Sequence, residues 1–237
     1  VIAAGGRPMI PDIPGLAECG YYTSDDLMRV DDVPRRLAVL GGGFIGVELG
    51  HVFGSFGSTI TVINRGPDLL RHEDHEVRTR FTERYQERFD VRLNEQATQM
   101  RRGSDGITIS LEHSADVQAD AVLVATGRIP NTDELGLAGV GYELHPDGRI
   151  VVSARQETNV PGVWALGDIS SDYMLKHVAN HEAKVVAYNL LHPDAPRDSD
   201  HRFVPHAVFA NPQVAAVGLT EDQARAAGID VMVSSRP

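Results

Sequence analysis

Three glycines in the run LAVLGGGFIGVELGHVFGSFGSTITVINR, residues 37–65, constrain what this chain can fold into more than any other feature. An apolar stretch, Leu37 to Leu40, too short for a helix, enters a turn through Gly41, Gly42 and Gly43, and an amphipathic stretch then runs to Phe56. A second apolar run, TITVI, ends at Asn64. The order predicts strand, turn, helix and strand, the opening of a βαβ unit. Gly41, Gly43 and Gly46 satisfy G-x-G-x-x-G. In that pattern the first glycine permits the tight turn, the second lets a pyrophosphate approach the backbone, and the third lets the helix pack on the strand. The helix N-terminus then offers unpaired N–H groups to an anion. A glycine-rich turn can match by chance, but inside an ordered unit of about 30 residues the pattern predicts a dinucleotide site.

The end of the second strand bears on which dinucleotide. NAD sites place Asp or Glu about 20 residues past the glycines to hold the ribose hydroxyls, whereas NADP sites supply Arg for the extra phosphate. Here the strand ends on the uncharged Asn64, followed by Arg65, with Arg71 further along the same loop. Two guanidiniums can bracket a dianionic 2′-phosphate with paired, charge-assisted hydrogen bonds. The pattern predicts NADP(H); the competing reading makes both arginines ordinary solvated charges.

Residues 8–34, rich in Pro, Asp and Gly, predict a connecting loop, with a domain boundary near residue 10. After the glycine unit, Val77, Phe81, Tyr85 and Phe89 recur four apart among charges and predict a surface helix with one buried face. Val91 to Leu93 predicts the next parallel strand. Ile107, Ile109 and Leu111 alternate as in an antiparallel strand, and ADAVLVATGR predicts a buried strand that closes the nucleotide domain at Gly127. Beyond it come short strands and turns, GRIVVS among them, and the apolar run Val163 to Leu166 ends on Gly167 and Asp168, which suggests a second ligand site. A helix follows, with Val178, Val185, Ala187 and Leu190 at helical spacing. From Pro205 a third unit begins, where Thr220 and Gln223 form a capping box for a short helix ended by Gly228. The chain starts on an apolar strand, VIAAGGRP, and stops at Pro237 in what reads as mid-element, so the expectation is a segment of a longer protein.

The 237 residues carry 33 acidic against 22 basic side chains, a net charge of −11, with no basic run longer than Arg101-Arg102. That balance argues against nucleic acid or an anionic membrane as the main partner. No apolar window approaches the 18 residues or so of a membrane span, and one cysteine, Cys19, excludes an internal disulfide framework, as expected in a reducing cytoplasm. Cys19 sits in the Pro-rich connector without an adjacent base and is read as a small packing residue. The histidines in HEDHE lack H-E-x-x-H spacing, and His177 with His181 has no third ligand nearby in sequence, so no metal is expected.

GGGFIGVELG, NRGPDLLR, VLVATGRIPNT and TNVPGVWALGDISS, in this order, resemble the flavoprotein disulfide reductases, the group of glutathione reductase and dihydrolipoamide dehydrogenase. The match covers essentially the whole chain, and GDISSDYMLKHVANHEAKVVAYNLL with HRFVPHAVFANPQVAAVGLTEDQA resembles a branch acting on a low-molecular-weight disulfide. The resemblance implies a Rossmann-like α/β NADP domain, with a parallel sheet and an antiparallel crossover, inserted in an FAD domain and followed by the start of an α+β dimerisation domain. The expected boundaries are 1–10 and 128–204 for FAD, 11–127 for NADP and 205–237 for dimerisation, with a cytoplasmic homodimer as the assembly. It implies that Asp168 holds the FAD ribityl chain and that Lys176, His177 and Val178 lie at the flavin pyrimidine edge. Glu48 is implied near the nicotinamide, and Phe44 as the ring that covers the flavin. Gly42, Ile45, Arg65, Arg71 and Gly127 match NADP-contacting positions. One departure is Ala3-Ala4-Gly5, which lacks the usual Thr of that crossing. The family's first FAD glycine motif, its C-x-x-x-x-C pair and its His-Glu acid/base pair are not among these residues, so no catalytic residue is assigned here. Two rivals remain: an NAD-linked dihydrolipoamide dehydrogenase, and a non-catalytic NADP-binding redox sensor.

Overall fold

The computed structural model describes residues 1–236, apart from the side chain of Ala138. In chain order the elements are β1 (Gly6–Pro8), α1 (Leu16–Cys19), β2 (Arg36–Leu40), α2 (Phe44–Ser55), β3 (Thr59–Asn64), α3 (His75–Gln86), β4 (Asp90–Leu93), β5 (Ala97–Gly103), β6 (Gly106–Leu111), β7 (Val117–Ala119), β8 (Ala121–Val124), β9 (Arg128–Pro130), α4 (Lys176–Leu191), β10 (Pro205–Val208), β11 (Val214–Val217) and α5 (Glu221–Ala226). They divide into two compact units: Val1–Arg7 with Arg128–Val204, and Pro8–Gly127 with the residues from Pro205 on.

The unit built on Pro8–Gly127 centres on a parallel sheet in the order β4-β3-β2-β8. Leu37 pairs with Ile60 on one side and Ala121 on the other, so β2 is interior and its residues from Leu37 to Leu40 are buried. Side chains alternate across a strand, so a doubly covered strand must be apolar at every position. Leu37 and Val39 join one core with Val47 and Phe53 of α2, Ile60 and Val62 of β3, and Phe81 and Tyr85 of α3. Ala38, Leu40, Val122 and Val124 join a second core with Met100, Ile107 and Ile109, from the antiparallel sheet β5-β6-β7 on the opposite face. Truncating one such buried Leu or Ile to Ala costs about 2–5 kcal/mol. The fold is therefore the expected mixed α/β architecture, with a parallel sheet and an antiparallel crossover.

Several local expectations are corrected. The connector contains α1, which buries Leu16 and Cys19 against the second core. Arg101 and Arg102 lie on β5, and Arg102 donates to the Cys19 carbonyl. Val77 is 40% exposed in the first turn of α3, whose buried positions are Phe81, Thr82 and Tyr85. GRIVVS forms no strand; Ile150 makes a single bridge to Leu144. In α4 the buried stripe is Val178, Glu182, Val185, Val186 and Asn189, with Ala187 and Leu190 outside it. From Pro205 on, β10 and β11 form an antiparallel hairpin, and Val208, Ala210 and Val214 enter the core shared with α2 and β3. Thr220 and Gln223 close the expected capping box on α5.

Candidate functional site

The glycine turn sits at the carboxyl end of β2, where open α/β sheets bind ligands. Gly41 donates to Ile63 O at 2.9 Å and adopts φ 107°, a conformation suited to glycine. A Cβ on Gly46 would lie 2.2 Å from Gly41 O, so the helix can approach the turn only without one. Around Gly43 the space is open, with nothing within 4 Å of a Cβ position. Gly43 caps α2 without a side-chain hydrogen bond, leaving the first-turn N–H groups of Phe44, Ile45 and Gly46 to face outward for an anion. The empty space at Gly43 and the uncapped helix fit a pyrophosphate. Phe44 is 43% exposed at the start of the helix.

Asn64 ends β3 and turns its amide toward this site. Its Oδ1 accepts the Gly42 N–H at 3.2 Å, and its Nδ2 donates to Gly66 O and Asp68 O at 3.0 Å each. The loop returns when Leu70 N–H donates to Gly42 O at 2.8 Å. Arg65 and Arg71 are exposed on that loop. Arg65 takes no hydrogen-bond or ion-pair partner among the described residues. Arg71 uses Nε to reach His72 Nε2 at 3.1 Å. Partial desolvation, then the Arg71 charge, hold the His72 imidazole below its usual pKa.

Glu48 lies on the second turn of α2. Its Oε1 accepts the Phe209 N–H at 2.8 Å. Glu73 and Asp74, at the end of the same loop, hold the hairpin and helix beyond Pro205: His206 Nε2 lies 2.7 Å from Glu73 Oε1, and Glu221 N–H donates to Asp74 Oδ1 at 2.8 Å. Sequence reasoning missed these carboxylate contacts, because nothing in the local pattern ties residues more than 100 positions apart. Past the carboxyl end of β8, the strand beside β2, Gly127 (φ 135°) accepts the Met9 N–H at 2.9 Å, and Thr126 donates to Met9 O.

In the other unit, Asp168 lies in the 3-10 turn Gly167–Ile169 with Arg128 Nε at 3.8 Å from its carboxylate. Arg128 also donates to Gly6 O at 2.5 Å. The Gly167 N–H is held by the fully buried Glu182 of α4, at 2.7 Å. Lys176 and His177 are exposed at the start of α4, and its N-cap, Leu175, offers no side-chain hydrogen bond. An acidic turn beside an uncapped sixteen-residue helix, with the polar atoms Trp164 Nε1 and Ser170 Oγ buried and unpartnered in the same unit, fits a polar cofactor with a hydroxylated chain. Among the described residues no group of three His, Cys, Asp or Glu is arranged to hold a metal ion, and no helix is long and apolar enough to cross a membrane.

A parallel sheet with a glycine turn at its carboxyl end, followed by an aspartate turn and a second uncapped helix, defines a nucleotide-dependent flavoprotein architecture. The chain belongs to the pyridine nucleotide-disulphide oxidoreductase family, whose profile matches residues 1–183, and the family's dimerisation domain matches residues 204–237. The family consists of flavoenzymes that use FAD and a pyridine nucleotide. Mycothione reductase of Mycobacterium tuberculosis is 44% identical over 237 residues, covering 98% of this chain and 51% of that protein. Mercuric reductase of Staphylococcus aureus is 36% identical over 249 residues, covering 100% of this chain and 44% of that protein. Dihydrolipoyl dehydrogenase of Bacillus subtilis is 33% identical over 243 residues, covering 100% and 51%. The solved structure of the HOCl-induced flavoprotein disulfide reductase RclA from Escherichia coli superimposes with a TM-score of 0.85 at 30% identity, over 96% of this chain and 52% of that one. The chain thus spans about half the length of the relatives it matches.

Proposed function

We propose that this chain is the nucleotide-binding and flavin-contacting half of an NADPH-dependent flavoprotein disulfide reductase whose substrate is a low-molecular-weight disulfide, mycothione, reduced to mycothiol. The observation that carries the cofactor choice is the loop tied to the glycine turn. It presents two exposed guanidiniums, Arg65 and Arg71, and the strand end before it carries Asn64 where NAD sites place a carboxylate. The substrate reading rests on the 44% identity to mycothione reductase and on the branch that residues 167–191 and 201–224 resemble.

In this reading residues 11–127 form the NADP domain, residues 1–10 and 128–204 belong to the FAD domain, and residues 205–237 begin the dimerisation domain of a cytoplasmic homodimer. The N–H groups at Gly43, Phe44, Ile45 and Gly46 surround the pyrophosphate, which lies against the Gly41–Gly42 turn, with the positive end of α2 adding to the attraction. Arg65 and Arg71 grip the 2′-phosphate, and Gly127 leaves room at the neighbouring strand end. Phe44 is the ring that covers the flavin, and Glu48 lies near the nicotinamide while its carboxylate holds the Phe209 backbone. Asp168 hydrogen-bonds the cofactor's hydroxylated chain, while Lys176 and His177 bring the positive end of α4 to the flavin edge. FAD, when bound, supplies the two-electron relay between the nicotinamide and the disulfide. The redox cysteines and the acid/base pair come from the remainder of the protein.

The test is cofactor preference in the full-length holoenzyme. With two charge-assisted contacts worth roughly 1.5–3 kcal/mol each, the Arg65→Ala, Arg71→Ala double variant should lower the NADPH to NADH ratio of kcat/KM by about 10²-fold or more. An unchanged ratio removes the NADPH assignment in favour of an NAD-linked dihydrolipoamide dehydrogenase. A purified full-length protein without visible flavin absorbance would instead support a nucleotide-binding redox sensor.

A further inference from the structure

We infer that Asn64 is a positioning residue: its side-chain amide clasps the basic loop to the glycine turn, and this clasp, rather than the mere lack of charge at position 64, gives the nicotinamide nucleotide its affinity. The inference rests on the nucleotide reading above but assigns Asn64 a role that the reading does not contain.

The geometry singles out an amide. A carboxamide offers two donors and one carbonyl oxygen with two lone pairs. At Asn64 both donors are used, toward Gly66 O and Asp68 O at 3.0 Å, and the oxygen accepts the Gly42 N–H at 3.2 Å. Three of its four capacities therefore bind backbone on both sides of the site. The Leu70 N–H to Gly42 O bond at 2.8 Å closes the ring from the other end, with Leu70 held at φ 52°. Packing follows the same join, since a Cβ on Gly42 would lie 2.5 Å from Leu69 Cδ2 and 2.8 Å from Asn64 Oδ1. Arg65 and Arg71 stand just outside the two ends of the clasped segment. With the amide occupied, the loop is ordered before any nucleotide arrives, and the ordering entropy is not charged to binding.

Replacement by Asp keeps an acceptor for Gly42 but turns an oxygen toward two carbonyl oxygens. Replacement by Ala removes the clasp without adding charge. The two explanations for an uncharged residue at this position therefore part at Asn64→Ala. Were only the absence of a carboxylate needed, Ala would be neutral and Asp alone harmful. The clasp requires both to be harmful.

The experiment measures steady-state kinetics of the full-length holoenzyme with its preferred nicotinamide nucleotide, together with hydrogen exchange of the Leu70 amide in the absence of nucleotide. Asn64→Ala and Asn64→Asp should each raise KM for the nucleotide by about tenfold, as expected when a pre-ordered loop must be ordered on binding, with kcat changed less than about twofold. The Leu70 amide should exchange faster in both variants. Asn64→Thr, which suits a strand end but lacks the paired donors, gives the same readout if Asn64→Ala does not accumulate. An unchanged KM in Asn64→Ala overturns the proposal, as does a raised KM with wild-type exchange at Leu70. If the arginine variants leave the NADPH to NADH ratio unchanged, the cofactor assignment falls, while Leu70 exchange and KM in Asn64→Ala still decide the clasp.

Discussion

The carboxylate of Glu48 accepts the backbone N–H of Phe209 at 2.8 Å, across 161 residues of sequence. The contact joins the second turn of α2 to the strand hairpin that opens the dimerisation segment. A hydrogen bond to a charged group contributes more than a neutral one, so Glu48→Ala should lower unfolding stability by about 1.5–3 kcal/mol, and Glu48→Gln by less, since its amide oxygen still accepts. Urea titration of the three proteins checks the order. Equal stability of the Ala and Gln variants would show that the acceptor at Glu48 contributes nothing.

The glycines of the turn separate fold from ligand. A methyl at Gly46 would press on Gly41 O at 2.2 Å, so Gly46→Ala should cost about 1–3 kcal/mol of stability as well as nucleotide binding. Gly43, at φ −77°, has open space around its Cβ position. Gly43→Ala should therefore leave the unfolding midpoint within error of wild type and still weaken nucleotide binding at least tenfold, because the methyl meets the pyrophosphate instead of the protein. Wild-type affinity in Gly43→Ala would place the phosphates elsewhere.

The fold core was legible because its periods are simple. Residues 37–40 read as a short apolar strand, and their alternate side chains enter different cores. The helix phases were harder. Sequence spacing put Val77 and Leu190 on buried faces, yet the first lies in the opening turn of α3 and the second beside a stripe that includes Glu182 and Asn189. Those two polar residues are buried because they serve backbone: Glu182 holds the Gly167 N–H, and Asn189 accepts the Arg197 N–H at 2.7 Å and donates to Arg197 O at 2.9 Å. Hydrophobic periodicity cannot register such residues. The same limit applies to the site. The glycines and arginines were legible as types, whereas the Asn64 amide could be read only as uncharged, since its three bonds depend on the return path of the loop.

Arg36 and Asp120 tie the neighbouring strands β2 and β8 together at their amino ends. The carboxylate accepts the Arg36 backbone N–H at 2.9 Å and the guanidinium at 2.5 and 3.1 Å. Bonding to the Arg36 side chain holds the Asp120 carboxyl below its ordinary range. A carboxyl depressed in the folded state contributes stability that is present above its unfolded pKa, about 3.9, and is lost as pH falls through the folded value. Asp120→Asn should thus be less stable than wild type at neutral pH, with the gap narrowing as the solution is acidified below about pH 4. Urea unfolding across that range tests the sign; a gap that widens on acidification contradicts it.

Glu182 is the most exacting position in the unit that contains Arg128–Val204. It is fully buried, one oxygen accepts the Gly167 N–H at 2.7 Å, and the other lies 3.1 Å from His201 Nε2, off the line of a ring N–H hydrogen bond. His201 is itself fastened: its ring is 3.1 Å from Ser199 Oγ, and its carbonyl accepts from Tyr173 Oη at 3.4 Å. Removing the carboxylate leaves the Gly167 turn amide without its acceptor, which costs about 1–3 kcal/mol. Glu182→Ala should therefore unfold at markedly lower urea and lose flavin more readily on dialysis, because the Gly167 turn carries Asp168. Glu182→Gln retains an acceptor for Gly167 and should fall between the two. The decisive comparison is flavin retention at a urea concentration where all three proteins remain folded: if Glu182→Ala keeps its flavin as tightly as wild type there, the turn does not depend on the carboxylate for its shape.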